Sequence, residues 1–187
     1  MEKHYCEKCR KRMPSRITKR QITLPVKGEP TTVEAKVRIC DDCAEECYDE
    51  ELENALFTAA YDLYRSRHNI MSPGEIRAMR EKYGLSQRGL AALLGWGEVT
   101  VHRYEGGSIA DEAHNQLLHL LKYPENMLRI AQMNGERLPA SARRKLFARL
   151  EELVGKGAKA VERTKSARTS KAALSGKNTK AKAPSRR

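Results

Sequence analysis

The chain has 187 residues, of which 40% are hydrophobic, 32% charged and 5% aromatic, with a formal net charge of +12. That length holds one ordinary domain and a small companion, and the low aromatic share excludes a large aromatic core. Its longest apolar runs, such as Leu90 to Leu94 and Leu117 to Leu121, fall far short of the roughly 20 residues that cross a bilayer. Without the apolar run of an export signal at its start, the chain reads as cytoplasmic, with no membrane partner.

All five cysteines lie in residues 1–47, arranged as Cys6-Glu7-Lys8-Cys9, Cys40-Asp41-Asp42-Cys43 and a lone Cys47. Between the two pairs, Gln21 to Val26 and Thr31 to Ile39 have β-branched or alternating character and flank Lys27-Gly28-Glu29-Pro30, which predicts a β-hairpin with a Gly/Pro turn. Pro25 marks the first strand as short or at an edge. Two thiolates spaced two residues apart in a tight turn reach one metal, and two such turns complete a tetrahedron. Cys6, Cys9, Cys40 and Cys43 are therefore candidate ligands of one structural Zn2+ per chain. The alternatives are a disulfide or redox pair, which a cytosolic location disfavours, and an iron–sulfur centre. Cys47 is expected to be a free, half-buried thiol, and His4 an exposed residue. The run Asp41, Asp42, Glu45, Glu46, Asp49, Glu50, Glu51, Glu53 contains no Lys or Arg; it reads as a solvated helix start, or as a docking surface for a basic partner.

Helical periodicity begins near Asp49. Leu52, Leu56, Ala59, Ala60, Leu63 and Tyr64 form one stripe over a linking helix within residues 48–70. Ser72-Pro73 opens the next helix, which breaks at Tyr83-Gly84. Ser86 caps a helix that runs to Leu94 and stops at Gly95. A short helix over Glu98 to Glu105 ends at Gly106-Gly107, and Asp111 begins a longer one through Leu117, Leu118 and Leu121, bent or interrupted at Pro124. The stripe from Leu52 to Tyr64 and the face of Leu117, Leu118 and Leu121 are candidate dimer surfaces. Leu146, Leu150, Leu153 and Val154 predict an amphipathic helix within residues 136–155.

The segment from Leu85 to Gly107 is the most informative. Ala91 is small where two helices must cross closely, Gly95 suits the positive φ of a sharp turn, and Val101 and Tyr104 make the inward face of the following helix. Turned outward are Glu98, Val99, His102 and Arg103, with Thr100 beside them, and such a face suits base edges in the major groove. Gln87, opening the preceding helix, is placed to meet a phosphate or the first base. A helical hairpin used only for packing would explain Ala91, Gly95, Val101 and Tyr104, but not an exposed His102 and Arg103. Trp96 reads as a local plug. An enzyme would need an open metal position or a carboxylate cluster with a nearby His; neither stands out, and His114 and His119, five apart, do not share a helix face. The expectation is a DNA-binding protein and not an enzyme.

The pattern Leu85-Ser86-Gln87, Leu90-Ala91, Leu94-Gly95, Arg103-Tyr104-Glu105, Gly107 resembles an Xre/Cro-type helix-turn-helix domain. Together with the preceding cysteine pairs, it resembles the MqsA-type antitoxins with a YgiT-type zinc finger, over roughly residues 5–133. The resemblance implies a homodimeric repressor bound to a palindromic operator in double-stranded DNA, nucleoid-associated when bound, whose zinc module contacts a toxin protein. It maps the family's four cysteines onto Cys6, Cys9, Cys40 and Cys43, and its base-reading arginine onto Arg103. The family's base-reading asparagine falls on Val99, so the operator should differ. The leading reading is thus an antitoxin that represses its own operon; the alternative is a stand-alone regulator of phage or mobile-element genes without a toxin.

The expected fold is mainly α. A zinc-bound β-hairpin module (1–47) leads through the linking helix to a helix-turn-helix domain (71–135), a further helix (136–155) and a basic tail (156–187) that composition makes disordered. Residues 136–187 hold 16 Lys/Arg against 4 Asp/Glu, whereas residues 1–135 carry 20 of each. The positive excess is confined to the C-terminal quarter, where it attracts polyanions without reading sequence or serves solubility alone.

Overall fold

The computed structural model of the chain describes residues 3–155; the segment expected to be a disordered tail lies outside the described residues. Four antiparallel strands form one sheet in the order β1-β2-β3-β4. They are β1 (Lys3–Cys6), β2 (Lys11–Val26), β3 (Glu29–Cys40) and β4 (Glu46–Cys47). The expected hairpin is present as β2 and β3, but it is longer than the alternation indicated and has a strand added on each side. Its register runs from Ser15 opposite Cys40 to Val26 opposite Glu29. The turn is therefore the dipeptide Lys27-Gly28 alone, with Glu29 and Pro30 already in β3. Both turn residues have positive φ, 51° and 84°, the geometry that matches the twist of a two-residue hairpin.

Pro25 sits at the end of a 16-residue strand, which is not short. It lies beyond the part of β2 that pairs with β1, Lys11 to Pro14, so the edge placement permitted to proline holds. The first ten residues of β2 carry no apolar alternation because much of that stretch is open to solvent. Cross-strand ion pairs such as Lys19–Glu34 (2.8 Å) hold it instead.

β3 alternates cleanly, with Thr31, Val33, Ala35, Val37 and Ile39 buried. That face lies against α1 (Glu50–Arg67). Val26, Val33 and Ala35 share a small core with Leu56 and Ala60 of α1, joined by Ile109 from the helical domain. The linking helix is thus a wall of the sheet module, and the centre of the stripe offered as a dimer surface, Leu56 and Ala60, is covered within the chain, while Leu52, Ala59, Leu63 and Tyr64 stay half-buried. Asp49 caps α1 by accepting from the Leu52 N–H and pairs with Arg38 of β3 at 2.7 Å. Burial raises the Asp49 pKa less than this partner lowers it: the Arg38 hydrogen bond dominates and holds it below the usual value.

The helical domain comprises α2 (Pro73–Lys82), α3 (Gln87–Leu94), α4 (Thr100–Glu105), α5 (Glu112–Leu121), α6 (Pro124–Asn134), a 3-10 turn (Gly135–Arg137) and α7 over residues 140–155. Ser72 and Glu75 form a reciprocal capping box with Pro73 at the first turn of α2, which satisfies two otherwise orphaned amides. Asp111 caps α5. Pro124 does not bend a continuous helix; it starts α6 after a break at Lys122-Tyr123, the position where a missing N–H costs nothing. The predicted start at Glu98 moves to Thr100, since Glu98 and Val99 form a turn.

One core joins all these helices. It contains Ile76, Met79, Tyr83, Leu90, Leu93, Val101, Leu118, Leu121 and Met127, and also Leu138, Leu146 and Leu150. Leu118 and Leu121 are fully buried, so two of the three residues of this second candidate dimer face are internal, and Leu117 is half-buried beside them. Tyr83 fills the centre, and its hydroxyl donates to the Leu121 carbonyl at 2.7 Å, which ties the break after α2 to the end of α5.

The two modules are stitched by polar contacts from the connecting segment. Asn115 accepts from the Met71 N–H and donates to the Asn69 carbonyl, and the buried Arg65 guanidinium reaches Asp62 and the Gly107 carbonyl. None of the helices among the described residues is long and apolar enough to cross a membrane.

Candidate metal centre and nucleic-acid interface

The four cysteines of the two pairs meet at the end of the sheet remote from the Lys27-Gly28 turn. Cys6 closes β1 and Cys40 closes β3, while Cys9 and Cys43 lie in the tight turns that follow. Positive φ at Arg10 and Ala44 lets each turn fold back on itself. All four Sγ atoms lie within 4.8 Å of one another, with Cys6–Cys43 at 3.4 Å and Cys9–Cys40 at 4.0 Å. A tetrahedron with metal–sulfur bonds of about 2.3 Å has edges of about 3.8 Å, so the thiols stand where one ion would hold them. The donor set fits a metal and, being complete, leaves it no open position.

The thiols influence one another strongly. The hydrogen bond from the Cys9 backbone N–H brings Cys6 down to about 7, whereas hydrogen bonding to Cys43 and burial push Cys9 up. Cys47 is not half-buried as expected but fully buried against Cys6 and Cys40; burial pushes its thiol up to about 11, consistent with a packed, un-ionised group. His4 is partly buried and paired with Ser15 at 3.3 Å, outside the thiol cluster.

The acidic run is largely engaged within the module. Asp41 pairs with Arg16 (2.5 Å), Glu45 with Lys8 (3.5 Å), Glu46 with Arg20 (2.7 Å) and Asp49 with Arg38 (2.7 Å). Bases from β2, β3 and the turn after β1 thus neutralise half of a stretch that sequence spacing presents as uniformly negative. Glu50, Glu51 and Glu53 fill the first turn of α1, where the helix dipole favours them.

In the helical domain, α3 ends at Gly95 with φ of 71°, and a short connection leads into α4. Val101 and Tyr104 face the core, and Trp96 closes the connection by stacking on His114 (4.1 Å between centroids) and meeting Tyr104 edge-on. Glu98, Val99, His102 and Arg103 are all exposed, while Thr100 and Gln87 are partly exposed. Gln87 stands beside α4: its Oε1 lies 3.4 Å from His102 Nδ1 and its Nε2 donates to Glu105 at 2.8 Å.

Sequence reading missed what fixes this face. Glu105, in the Arg103-Tyr104-Glu105 motif, is a buried acid with a 1% exposed side chain. It accepts from Arg80 Nε at 2.6 Å and Arg80 Nη2 at 2.9 Å, while Arg80 also donates to the Leu85 carbonyl. Burial raises the Glu105 pKa, but the hydrogen bonds from Arg80 and Gln87 outweigh it and leave it lowered. One ion pair thereby locks α2, the start of α3 and the end of α4 together. The available signal was an Arg at the inward edge of α2 with no acid on its own helix face.

Fold and site define a two-part chain, in which a sheet module closed by a four-thiol cluster that could hold a metal ion is followed by an all-helical domain that exposes one short polar helix. The chain belongs to the family described as the antitoxin component of bacterial toxin-antitoxin systems, MqsA, whose model matches residues 2–131. No curated protein matches the chain.

Proposed function

We propose that this antitoxin-family chain is a sequence-specific DNA-binding regulator that represses its own operon as a homodimer and binds a cognate toxin through its sheet module. Residues 71–135 carry the DNA binding as an Xre/Cro-type helix-turn-helix, with α3 and α4 as its two helices. Arg103 is the principal base reader, and Val99, Thr100, His102 and Glu98 share its face. Gln87 contacts the backbone or the first base. The single observation that carries this reading is the exposed face of α4, held rigid from behind by Glu105, Arg80 and Gln87. A helix of six residues gains little stability by itself; fixing it this firmly while leaving His102 and Arg103 exposed suits presentation to a groove.

The metal is Zn2+, one per chain, and its role is structural: four thiolates supply a closed tetrahedral set that clamps the ends of β1 and β3. Leu120, Tyr123 and Met133, exposed on the helical domain, offer apolar side chains for dimerisation, since Leu56 and Ala60 of one stripe first considered and Leu118 and Leu121 of the other are buried within the chain.

Two linked measurements test the proposal. Full-length protein titrated onto the DNA upstream of its own gene should protect an inverted repeat with half-sites about 10 base pairs apart, or a multiple of that. Co-expression with the adjacent reading frame should yield a stable complex that mutations in the sheet module abolish. Equal affinity for upstream and scrambled DNA would remove the regulator reading, and absence of a complex would remove the toxin-binding part.

A further inference from the structure

The family match ends at residue 131, yet the helical core continues to residue 150 with Leu138, Leu146 and Leu150. The segment between is pinned to α3. Asn134 donates to the Leu93 carbonyl at 3.0 Å, and the Leu138 N–H closes the 3-10 turn on the Gly135 carbonyl at 3.1 Å. Leu138 packs beside Leu85 and Gly89 at the start of α3. Arg137 thus lies between the buried Gly135 and Leu138, and beside the exposed Glu136, while its own side chain stays exposed.

Its position is specific. The guanidinium lies over Gly95, so closely that a methyl group added there would fall 2.5 Å from Nη1. Gly95 is the turn that leads into α4. Arg137, Arg88, Trp96 and Glu98 help to line a hollow of about 290 Å³ at this turn. Arg88 is 84% exposed and its one ion pair among the described residues is a loose 4.0 Å contact with Glu98. Arg137 has no carboxylate partner among the described residues. Two guanidinium groups against one carboxylate leave the hollow net positive.

We infer that Arg137 is a phosphate-binding residue of the DNA interface, supplied by the extension beyond the family match and set at the entry to α4. The inference rests on the DNA-binding reading above. A recognition helix contacts base edges with its N-terminal residues, so the turn before it passes close to the flanking phosphates. An arginine anchored at its base and free of an acidic partner offers a planar fork for a phosphate. No base contact is required of it, so it adds affinity and leaves discrimination to α4.

The test compares full-length wild type, Arg137→Met and Arg137→Lys on upstream and scrambled DNA over a range of salt concentrations. Methionine retains an apolar stem over Gly95, so folding is checked by urea midpoint and a change in binding is attributable to charge. The expected result for Arg137→Met is a log–log salt slope shallower by about 0.9 per protomer, with both DNAs weakened by the same factor. Arg137→Lys should retain the wild-type slope. If the methionine variant folds less well, Arg137→Gln beside Arg137→Lys gives the same contrast. An unchanged slope overturns the inference alone, as does a loss confined to upstream DNA. A wild-type protein that shows no preference for upstream DNA overturns the DNA-binding reading, and the inference with it.

Discussion

Glu105→Ala removes the acceptor from a buried cluster where three helices meet. Three good hydrogen bonds end on that carboxylate, two from Arg80 and one from Gln87, at 2.6 to 2.9 Å. Arg80, whose side chain is 12% exposed, would keep the Leu85 carbonyl at 2.8 Å and a distant Glu81 at 3.5 Å. A buried charge left without its partner costs about 3–5 kcal/mol, against a typical domain stability of about 5–15 kcal/mol. With a urea dependence of about 1–3 kcal/mol per molar, the unfolding midpoint of the helical domain should fall by at least about 1 M. Circular dichroism during urea titration at neutral pH measures it.

The same pair predicts the acid limb of stability. The folded Glu105 pKa lies below its unfolded value, so its contribution is fully present above about pH 4.3. It is lost as pH falls from there through the folded value. The wild-type midpoint should drop in that window, and the Glu105→Ala midpoint should drop less. A neutral-pH loss below about 1 kcal/mol, or identical acid limbs for the two proteins, would refute the claim that this pair locks the three helices.

Metal removal should act locally. Cys40→Ser, or a chelator, should free β1, β4 and the two cysteine turns, while the Val26, Val33, Leu56 and Ala60 core keeps the far end of the hairpin on α1; hydrogen exchange resolved by segment checks this, and uniform exposure of β2 and β3 would contradict it. Arg103→Ala should cost about 1–3 kcal/mol on the operator with little effect on random DNA, read by parallel titrations. Leu146→Ala removes a fully buried side chain from α7 and should destabilise the helical domain by about 2–5 kcal/mol; a change within about 0.5 kcal/mol would show that α7 is not part of its core.

The local features of this chain were legible in its sequence because they depend on near neighbours. Two matched Cys pairs name their own cluster, since a C-x-x-C turn can hardly place its thiols elsewhere. Ser72-Pro73, Ser86, Asp111 and Gly95 mark helix boundaries through hydrogen bonds within three residues or through a single φ. The exposed and inward faces of α4 follow from helical spacing.

What the tertiary structure alone decided is how surfaces are shared. Periodicity identifies an apolar stripe but not its partner, so Leu56 and Leu118 read equally well as dimer contacts until β3 and the helical core are seen to cover them. The charged first half of β2 is a strand because β3 and long-range ion pairs hold it, with no alternation to announce it. Glu105, inside a motif that reads as a helix end, is buried because Arg80, 25 residues earlier, meets it. Arg137 lies over Gly95 only because Leu138 finds a place on α3. Each of these pairings joins residues distant along the chain, and their free energy depends on burial, which spacing along a sequence does not encode.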